Sequence, residues 1–258
     1  MKLSVSRLKL FKACRRAYKL KYIEGLEPVE KAESLRTGIS YHEKLEQLYA
    51  NGDFDSADFS KESAMATAYK KYIYPKVPVK RAEDWVSYPI SIADELIGRV
   101  DGIAEDGRLV EHKTTSMDIT AEYEYMLQWD EQILAYMLMT GAREIWYTVC
   151  RKPTIRQKKN ETDEEFFHRM VVWYDEDTES KIKLMLLSRT DEEVEEFKQA
   201  LETMTAEMNS AKNFYRNTAH CKRYGRMCEY APICLYYDPE QEYIEFTKKE
   251  ERYADSEV

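Results

Sequence analysis

The spacing of apolar residues changes several times along the chain, from helical to alternating and back. The first run fits one helix that Ser4 or Ser6 caps and that ends near Gly25. Its apolar face would hold Leu8, Phe11, Ala17, Leu20 and Ile23. The same spacing predicts further helices at about 40–50, 61–74, 121–140 and 192–215.

Alternation and β-branched residues dominate the middle of the sequence. From 85 to 115 they predict two or three strands, and further strands are predicted at 144–150 and 170–174. Gly141 is expected to end the helix that precedes the 144–150 strand. The chain is therefore predicted to be α/β, with its sheet in the middle.

Composition places the chain among globular proteins. Of 258 residues, 43% are hydrophobic, which is enough to build a core and excludes a mostly disordered chain. We expect a single domain over 1–237 followed by a polar tail at 238–258. The longest apolar run, Ile133–Met139, is far short of the ~20 residues of a membrane span. The start has no apolar signal region, so we expect a cytoplasmic protein.

Charge is segregated along the chain, although the net charge is −9. Residues 1–22 carry bases and no acid, whereas 161–207 carry 15 acids and 5 bases. This segregation favours one positive surface for a polyanion, with some of the 20 tyrosines as stacking faces. The candidate nucleic-acid-binding residues are Arg7, Lys12, Arg15, Arg16, Lys222 and Arg223. The alternative is that the basic runs are solvated helix faces.

Five cysteines suggest a metal site, because disulfides are rare in intracellular proteins. Three of them, Cys221, Cys228 and Cys234, lie within fourteen residues. Cys150 sits in a predicted buried strand, where a thiol usually acts as a small hydrophobe. Cys14 lies in a basic stretch that favours the thiolate, so we select it as the fourth ligand.

A predicted hairpin at 98–114 carries three charged residues in otherwise apolar strands: Asp101, Glu111 and Lys113. A two-residue turn at Asp106-Gly107 would place the two acids on opposite faces. A three-residue turn that ends at a left-handed Gly107 would pair Asp101 with Glu111 and put all three on one face. A divalent cation held by both carboxylates requires the second register. The alternative is an exposed hairpin with an ordinary ion pair.

Asp101 followed by Glu111-His112-Lys113 resembles the (D)…(E)xK core of the PD-(D/E)XK nuclease superfamily. His42 resembles the metal-binding histidine of its RecB-like branch, and Gln132 with Tyr136 resembles the QxxxY motif of that branch. The cysteine frame resembles the split iron–sulfur staple of AddB-type nucleases and CRISPR adaptation exonucleases. The resemblance spans about 4–234. It implies a restriction-endonuclease-like core, with a central mixed sheet flanked by helices and a C-terminal cysteine loop.

The sequence departs from that pattern in three places. Val100 stands where the superfamily name has proline, and Arg15 follows Cys14 where many relatives have proline. The gap between Cys221 and Cys228 is wider than in many relatives, which leaves the cluster type open. A structural zinc ion is the alternative to a [4Fe-4S] cluster, and His220 could replace one thiolate.

The resemblance also implies roles for the site residues. One or two Mg²⁺ or Mn²⁺ ions would be held by His42, Asp101, Glu111 and the backbone carbonyl of His112. Lys113 would orient the attacking water and offset charge on the phosphate, and Gln132 and Tyr136 would support the site.

The implied function is a metal-dependent DNA exonuclease, acting on single-stranded ends in recombination, repair or processing. One alternative is a non-catalytic DNA-binding subunit of a helicase–nuclease or adaptation complex, and another is a zinc-stapled interaction protein. The sequence has no GxxxxGK[ST] phosphate loop, so ATP-driven unwinding would need a partner chain.

Overall fold

The computed structural model describes residues 1–29, 33–223, 226–235 and 246–248, apart from the side chains of Ser34 and Arg223. The described residues form two compact units. Unit 1 draws on Met1–Lys31, Ser87–Ile97 and Glu196–Val258, and unit 2 on Ala32–Val86 and Gly98–Glu195. Most of the predicted tail at 238–258 lies outside the described residues.

Helices and strands alternate along most of the chain. The helices of the described residues are α1 (Val5–Ala13), α2 (Arg15–Tyr18), α3 (Glu33–Asn51), α4 (Lys61–Tyr72), α5 (Ala121–Met126), α6 (Glu131–Thr140), α7 (Asp163–Glu176), α8 (Asp191–Ser210) and α9 (Ala231–Leu235). The strands are β1 (Lys2–Leu3), β2 (Leu26–Pro28), β3 (Val79–Pro89), β4 (Glu95–Ala104), β5 (Leu109–Thr115), β6 (Glu144–Arg151), β7 (Ile182–Ser188), β8 (Lys222–Arg223), β9 (Arg226–Met227) and β10 (Phe246–Lys248). A π-helical turn covers Lys19–Ile23, and 3₁₀ turns cover Leu127–Trp129 and Thr218–His220.

The sheet of unit 2 is mixed, as predicted. β4 runs antiparallel to β5, β5 runs parallel to β6, and β6 runs antiparallel to β7. β3 pairs with β4 on the same sheet. The prediction of an α/β fold with a mixed central sheet flanked by helices is confirmed, and this architecture is consistent with a restriction-endonuclease-like core.

Two large apolar clusters form most of the core that the described residues of unit 2 build. The first contains the buried side chains Val100, Ile133, Met137, Tyr147 and Val149, so α6 packs on the sheet. The second joins residues of α3 and α4 to β6 and β7: Tyr41, Leu45, Met65, Tyr69, Cys150 and Ile182. Cys150 is buried there, and burial raises the pKa of its thiol to about 12. Its prediction as a small core hydrophobe is confirmed.

Unit 1 is held together by short strand pairs and a small apolar cluster. β1 pairs in parallel with Glu95 and Leu96, and β2 pairs with β10. The cluster contains the buried residues Cys14, Ala17, Leu20, Leu26, Tyr230, Ile233 and Phe246. Among the helices described in either unit, none combines the length and apolar character that a bilayer crossing requires.

The first predicted helix is interrupted, so its prediction as one element was wrong. Ser4 caps α1, but the backbone of Cys14 is extended at φ −161° and ψ 109°. The side chain of Asn217 donates to the Ala13 carbonyl at 2.8 Å, which supplies that carbonyl with a partner outside the helix. Ile23, predicted to be buried, is 53% exposed.

The predicted helix at 121–140 is also broken. Asp130 has an extended backbone, and its side chain accepts from the Gln132 amide, so it starts α6 as an N-cap. Gly141 ends α6 in the left-handed conformation at φ 76°, as predicted.

The predicted strand at 170–174 is part of α7 and was wrong. Thr162 and Glu165 form a reciprocal capping box that starts this helix. Its buried residues Phe167, Met170 and Tyr174 recur every three or four positions. The strand that follows is β7, which the sequence did not predict.

Candidate active site

The hairpin of β4 and β5 has the register that a shared cation requires. Gly102 pairs with Val110 and Ile103 with Leu109, so the next pair along the strands is Asp101 with Glu111. The turn is closed by Gly107, at φ 85°. The predicted three-residue turn is therefore confirmed. Directly opposed residues of an antiparallel pair project from the same face, and Lys113 shares that face because it follows Glu111 by two residues.

His42 reaches this face from α3. Its Nδ1 lies 3.3 Å from Asp101 Oδ1, and its Nε2 lies 3.1 Å from the carbonyl oxygen of His112. The second oxygen of Asp101 accepts from the His112 backbone amide at 2.7 Å. Three of the four predicted metal ligands, His42, Asp101 and the His112 carbonyl, therefore lie next to one another.

The charges of this group are strongly perturbed. Burial alone would raise the pKa of Asp101, but the hydrogen bond and charge of His42 outweigh it and hold that pKa well below its usual value. Burial would lower the pKa of His42, and Asp101 raises it above the usual value instead. Both ring nitrogens of His42 thus face oxygen atoms, an arrangement in which a divalent cation can replace a proton.

Glu111 is the most deeply buried acid of the group, at 1% exposure. One carboxylate oxygen accepts from Lys113 Nζ, and the other has no hydrogen-bond partner among the described residues. Burial, followed by the charge of Asp101, raises the pKa of Glu111 to about 8. A buried carboxylate oxygen without a partner is energetically costly, and a bound cation would satisfy it. The donor set of oxygens and one imidazole also suits a hard divalent ion.

Glu83 is a site residue that the sequence analysis missed. Ligand atoms of His42, Glu83 and Asp101 all lie within 4.8 Å of one another. Glu83 adopts φ 55°, in the left-handed region, although it belongs to β3. Residues other than glycine rarely adopt this conformation, and strain of this kind concentrates at functional sites. Alternation of residue types does not reveal such a backbone, so no signal in the sequence identified Glu83.

A chain of hydrogen bonds supports Lys113. Its Nζ donates to Gln132 Oε1 at 3.0 Å, and Gln132 Nε2 donates to the Tyr136 hydroxyl at 2.7 Å. Tyr136 donates in turn to the carbonyl of Arg99 at 2.8 Å. Gln132 and Tyr136 lie one turn apart on α6 and contact each other, as their i, i+4 spacing predicts.

Gly98 makes room for this chain. A Cβ atom at Gly98 would lie 2.8 Å from Met139 Cε and 3.0 Å from Tyr136 Cε1. Only glycine therefore fits beside Tyr136 without displacing it.

The His112 side chain points away from the cation group into the core. Its Nδ1 lies 2.6 Å from Thr148 Oγ1, and its Nε2 lies 2.8 Å from the Tyr49 hydroxyl. Burial lowers the pKa of His112 to about 3, so the ring is neutral. The residue contributes its backbone to the site, and its ring fixes the position of that backbone.

An open groove of about 560 Å³ leads to these residues. Its walls come from α3, β3 and β5, and it is lined by His42, Glu83, Arg99, His112 and Lys113 together with the exposed apolar residues Leu35 and Ile39. The groove therefore opens His42, Glu83 and Lys113 of the charged group to solvent.

A family model for the PD-(D/E)XK nuclease superfamily matches residues 2–87 and 59–235 of the chain. These matches cover most of the sequence and include every residue of the charged group. The chain belongs to the PD-(D/E)XK nuclease superfamily. The matched range 59–235 contains Asp101, Glu111 and Lys113 of the β4–β5 hairpin.

Solved structures of exonucleases resemble this superfamily member. A candidate exonuclease from Eubacterium rectale is 11% identical over 91% of this chain and 92% of its own, with a TM-score of 0.52, and shares the fold. An alkaline exonuclease from Laribacter hongkongensis is 14% identical over 81% of this chain and 88% of its own, with a TM-score of 0.38. A phage-related exonuclease from Haemophilus somnus 129PT is 15% identical over 74% of this chain and 93% of its own, with a TM-score of 0.36. No curated protein shows a significant match.

The four selected cysteines of this nuclease-family chain meet in unit 1. Cys14, Cys221, Cys228 and Cys234 line one small cavity of about 20 Å³, with His220 beside them. The Asn217 backbone amide donates to Cys14 Sγ at 3.5 Å. Burial raises the pKa of Cys228, and the charge of Glu229, followed by Cys14 and Cys221, adds to that rise. Four thiols that line one cavity are a donor set of the kind that binds zinc or an iron–sulfur cluster.

The predicted nucleic-acid-binding residues also belong to unit 1. Arg7 lies over the rings of Tyr18 and Tyr22, and Arg15 pairs with Glu207 at 3.1 Å. The Arg16 backbone amide donates to the Tyr215 carbonyl, and the side chain of Lys222 is exposed. The Arg223 side chain lies outside the described residues. The role of this group, including Lys12, stays a prediction.

Proposed function

We propose that this chain is a Mg²⁺- or Mn²⁺-dependent DNA exonuclease that hydrolyses phosphodiester bonds, preferably from single-stranded ends, in recombination, repair or DNA processing. The observation that carries the proposal is the shared face of Asp101, Glu111 and Lys113 with His42 against it. A non-catalytic DNA-binding subunit would have no need to bury Glu111 with an unpartnered oxygen.

One or two divalent ions would be held by His42, Asp101, Glu111 and the carbonyl oxygen of His112, and we add Glu83 to this set. When bound, such an ion polarises a phosphate oxygen and lowers the pKa of water. Oxygen ligands favour Mg²⁺ or Mn²⁺ over softer metals.

Lys113 would act on the reacting phosphate. Asp101 and Glu111 raise the pKa of Lys113, although burial opposes them, so its ammonium group keeps its charge. A fixed positive charge beside the phosphate stabilises the negative charge that grows during hydrolysis. Gln132 and Tyr136 hold that ammonium group in position, which supports their assignment as positioning residues.

The cysteine cavity supports a second proposal, that the chain belongs to the RecB-like branch with a [4Fe-4S] staple. The cluster would tie the N-terminal helices to the segment at 217–235 and would have a mechanical role. Anaerobically purified protein should then be brown, and Cys228→Ala should bleach it while Cys150→Ala keeps the colour. If the protein is colourless and contains stoichiometric zinc, the site holds a structural zinc ion and not an iron–sulfur cluster.

The catalytic proposal is tested with end-labelled single- and double-stranded DNA in the presence of Mg²⁺, Mn²⁺ or EDTA. We expect cation-dependent cleavage that Asp101→Ala and Lys113→Ala both abolish. Glu105→Ala, in the exposed turn of the same hairpin, is the matched control and should cleave like wild type. Circular dichroism checks that each variant is folded. Cleavage that persists in Asp101→Ala would overturn the site assignment, and no cleavage by the wild type would favour the non-catalytic subunit.

A further inference from the structure

Large side chains are exposed where α5 gives way to α6. Tyr125 is 62% exposed, Met126 is 41% exposed and Trp129 is 65% exposed. Aromatic side chains of this size usually bury most of their surface, so an exposed group of them marks an interaction site.

The two aromatic rings are held in a fixed arrangement. Tyr125 and Trp129 contact edge to face, with ring centroids 4.9 Å apart and an interplanar angle of 79°. Leu127, between them, is buried, and its carbonyl accepts from Arg189 at 2.7 Å. Leu127 therefore fixes the turn to the protein core. Because the two rings are already held in place, ligand binding does not have to pay the entropy cost of ordering them.

This aromatic pair lies next to the candidate active site. Trp129 precedes Asp130, the residue that caps α6 and whose charge acts on Lys113. Gln132 is three residues beyond Trp129, so their Cα atoms are at most about 11 Å apart. Gln132 in turn contacts Lys113 at 3.0 Å. A strand with its phosphate at Lys113 would thus carry its neighbouring bases past the indole.

We propose that Trp129, braced by Tyr125, stacks on an unpaired nucleobase and so selects single-stranded nucleic acid. This inference rests on the proposed function. An indole face accepts any base, but only a base whose own face is free, and inside a duplex both faces are covered by neighbouring bases. The occupant of the exposed aromatic surface is therefore the substrate strand, within a few nucleotides of the reacting phosphate.

Binding in EDTA tests this inference without requiring cleavage. The full chain is titrated against a fluorescently labelled single-stranded 12-mer, and affinity is read by anisotropy. We expect Trp129→Ala to weaken binding about tenfold, which corresponds to about 1.4 kcal/mol. Trp129→Phe should retain most of the affinity, and a blunt duplex of the same length should be affected less than twofold. Val172→Ala is the control, because Val172 is 52% exposed but belongs to α7, which does not line the groove.

An abasic scan then separates stacking from a structural effect. Each position of the 12-mer is replaced in turn by an abasic nucleotide. At one position or two adjacent ones, the abasic change should weaken wild-type binding about tenfold but leave Trp129→Ala unchanged.

Three results would overturn the inference: equal affinity of Trp129→Ala and wild type, equal losses in Trp129→Ala and Val172→Ala, or no abasic position that depends on Trp129. The first would leave the aromatic surface to a protein partner. A wild type that shows this base-dependent binding but cleaves nothing in Mg²⁺ or Mn²⁺ would refute the hydrolase and keep the stacking contact.

Discussion

Glu111 is predicted to make the metal-free protein less stable than its amide variant. The substitution Glu111→Gln keeps the size of the side chain and removes a carboxylate that is buried with one unpartnered oxygen. In the folded protein, burial and the charge of Asp101 raise the pKa of Glu111 from 4.5 to about 8. In the unfolded chain the group is solvated and ionises near the ordinary value.

The sign and size of the effect follow from this difference. Between pH 4.5 and pH 8 the folded state keeps a proton that the unfolded state has lost, so the free energy of unfolding falls as the pH rises. At about 1.4 kcal/mol for each pKa unit, the loss reaches about 5 kcal/mol above pH 8. That is a large part of the 5–15 kcal/mol typical of a folded domain.

Urea unfolding at pH 5, 6, 7, 8 and 9, without divalent cations, measures the effect. The difference in free energy of unfolding between Glu111→Gln and wild type should grow with pH by several kcal/mol. Glu43→Gln, which removes an exposed charge from the same groove, is the matched control and should show a much smaller trend. Excess Mg²⁺ should stabilise the wild type more than Glu111→Gln, because the substitution removes one of the charged ligands and leaves the others. A difference that stays constant from pH 5 to pH 9 would refute this account of Glu111.

Three further predictions concern the same site. The rate of cleavage at limiting Mg²⁺ should rise with pH and level off near pH 8, because the ion must displace the proton of Glu111. At saturating Mg²⁺ the rate should rise less with pH. A rate that does not change with pH at limiting Mg²⁺ would contradict this prediction. Tyr136→Phe leaves the Arg99 carbonyl and the Gln132 amide without their hydrogen-bond partner. It should therefore lower the free energy of unfolding by about 1–3 kcal/mol and lower kcat severalfold. Unchanged urea unfolding would count against the hydrogen-bond chain. Gly98→Ala should destabilise by about 1–3 kcal/mol because its Cβ would lie 3.0 Å from the ring of Tyr136, whose hydroxyl is fixed by two hydrogen bonds. Gly38→Ala, inside α3 with its nearest neighbour at 3.9 Å, should stabilise by up to about 1 kcal/mol. Thermal melting that ranks the two variants the other way would contradict the packing argument.

The hairpin was predictable because one residue fixes it. Glycine is the residue type that most readily closes a three-residue turn in the left-handed conformation, and Gly107 occupies that position. The length of the turn then sets which side chains oppose each other. Asp101, Glu111 and Lys113 follow from it by the two-residue period of a strand. The i, i+4 contact of Gln132 with Tyr136 was predictable for the same reason, since helical spacing is fixed by geometry.

The errors share a different cause. The first predicted helix breaks at Cys14, whose partner Asn217 lies far away in the sequence. The second breaks at Asp130, whose side chain caps the start of α6. Apolar spacing continues through both breaks, so it predicts one helix. Glu83 enters the site through a positive φ that tertiary packing imposes, and residue types alone do not encode it.

The bond from Asn217 to the Ala13 carbonyl joins residues 204 positions apart. The cysteine cavity is therefore lined by two segments that are far apart in the sequence, one at Cys14–Ala17 and one between Arg216 and Leu235. A ribosome must synthesise every residue from Cys14 to Cys234 before the four thiols can meet, so this part of unit 1 cannot assemble until the strands of unit 2 have been synthesised. A metal bound by all four thiols would consequently show that translation had passed Cys234. Nascent chains arrested before Cys221 would lack three of the four thiols and could not bind the metal at this site.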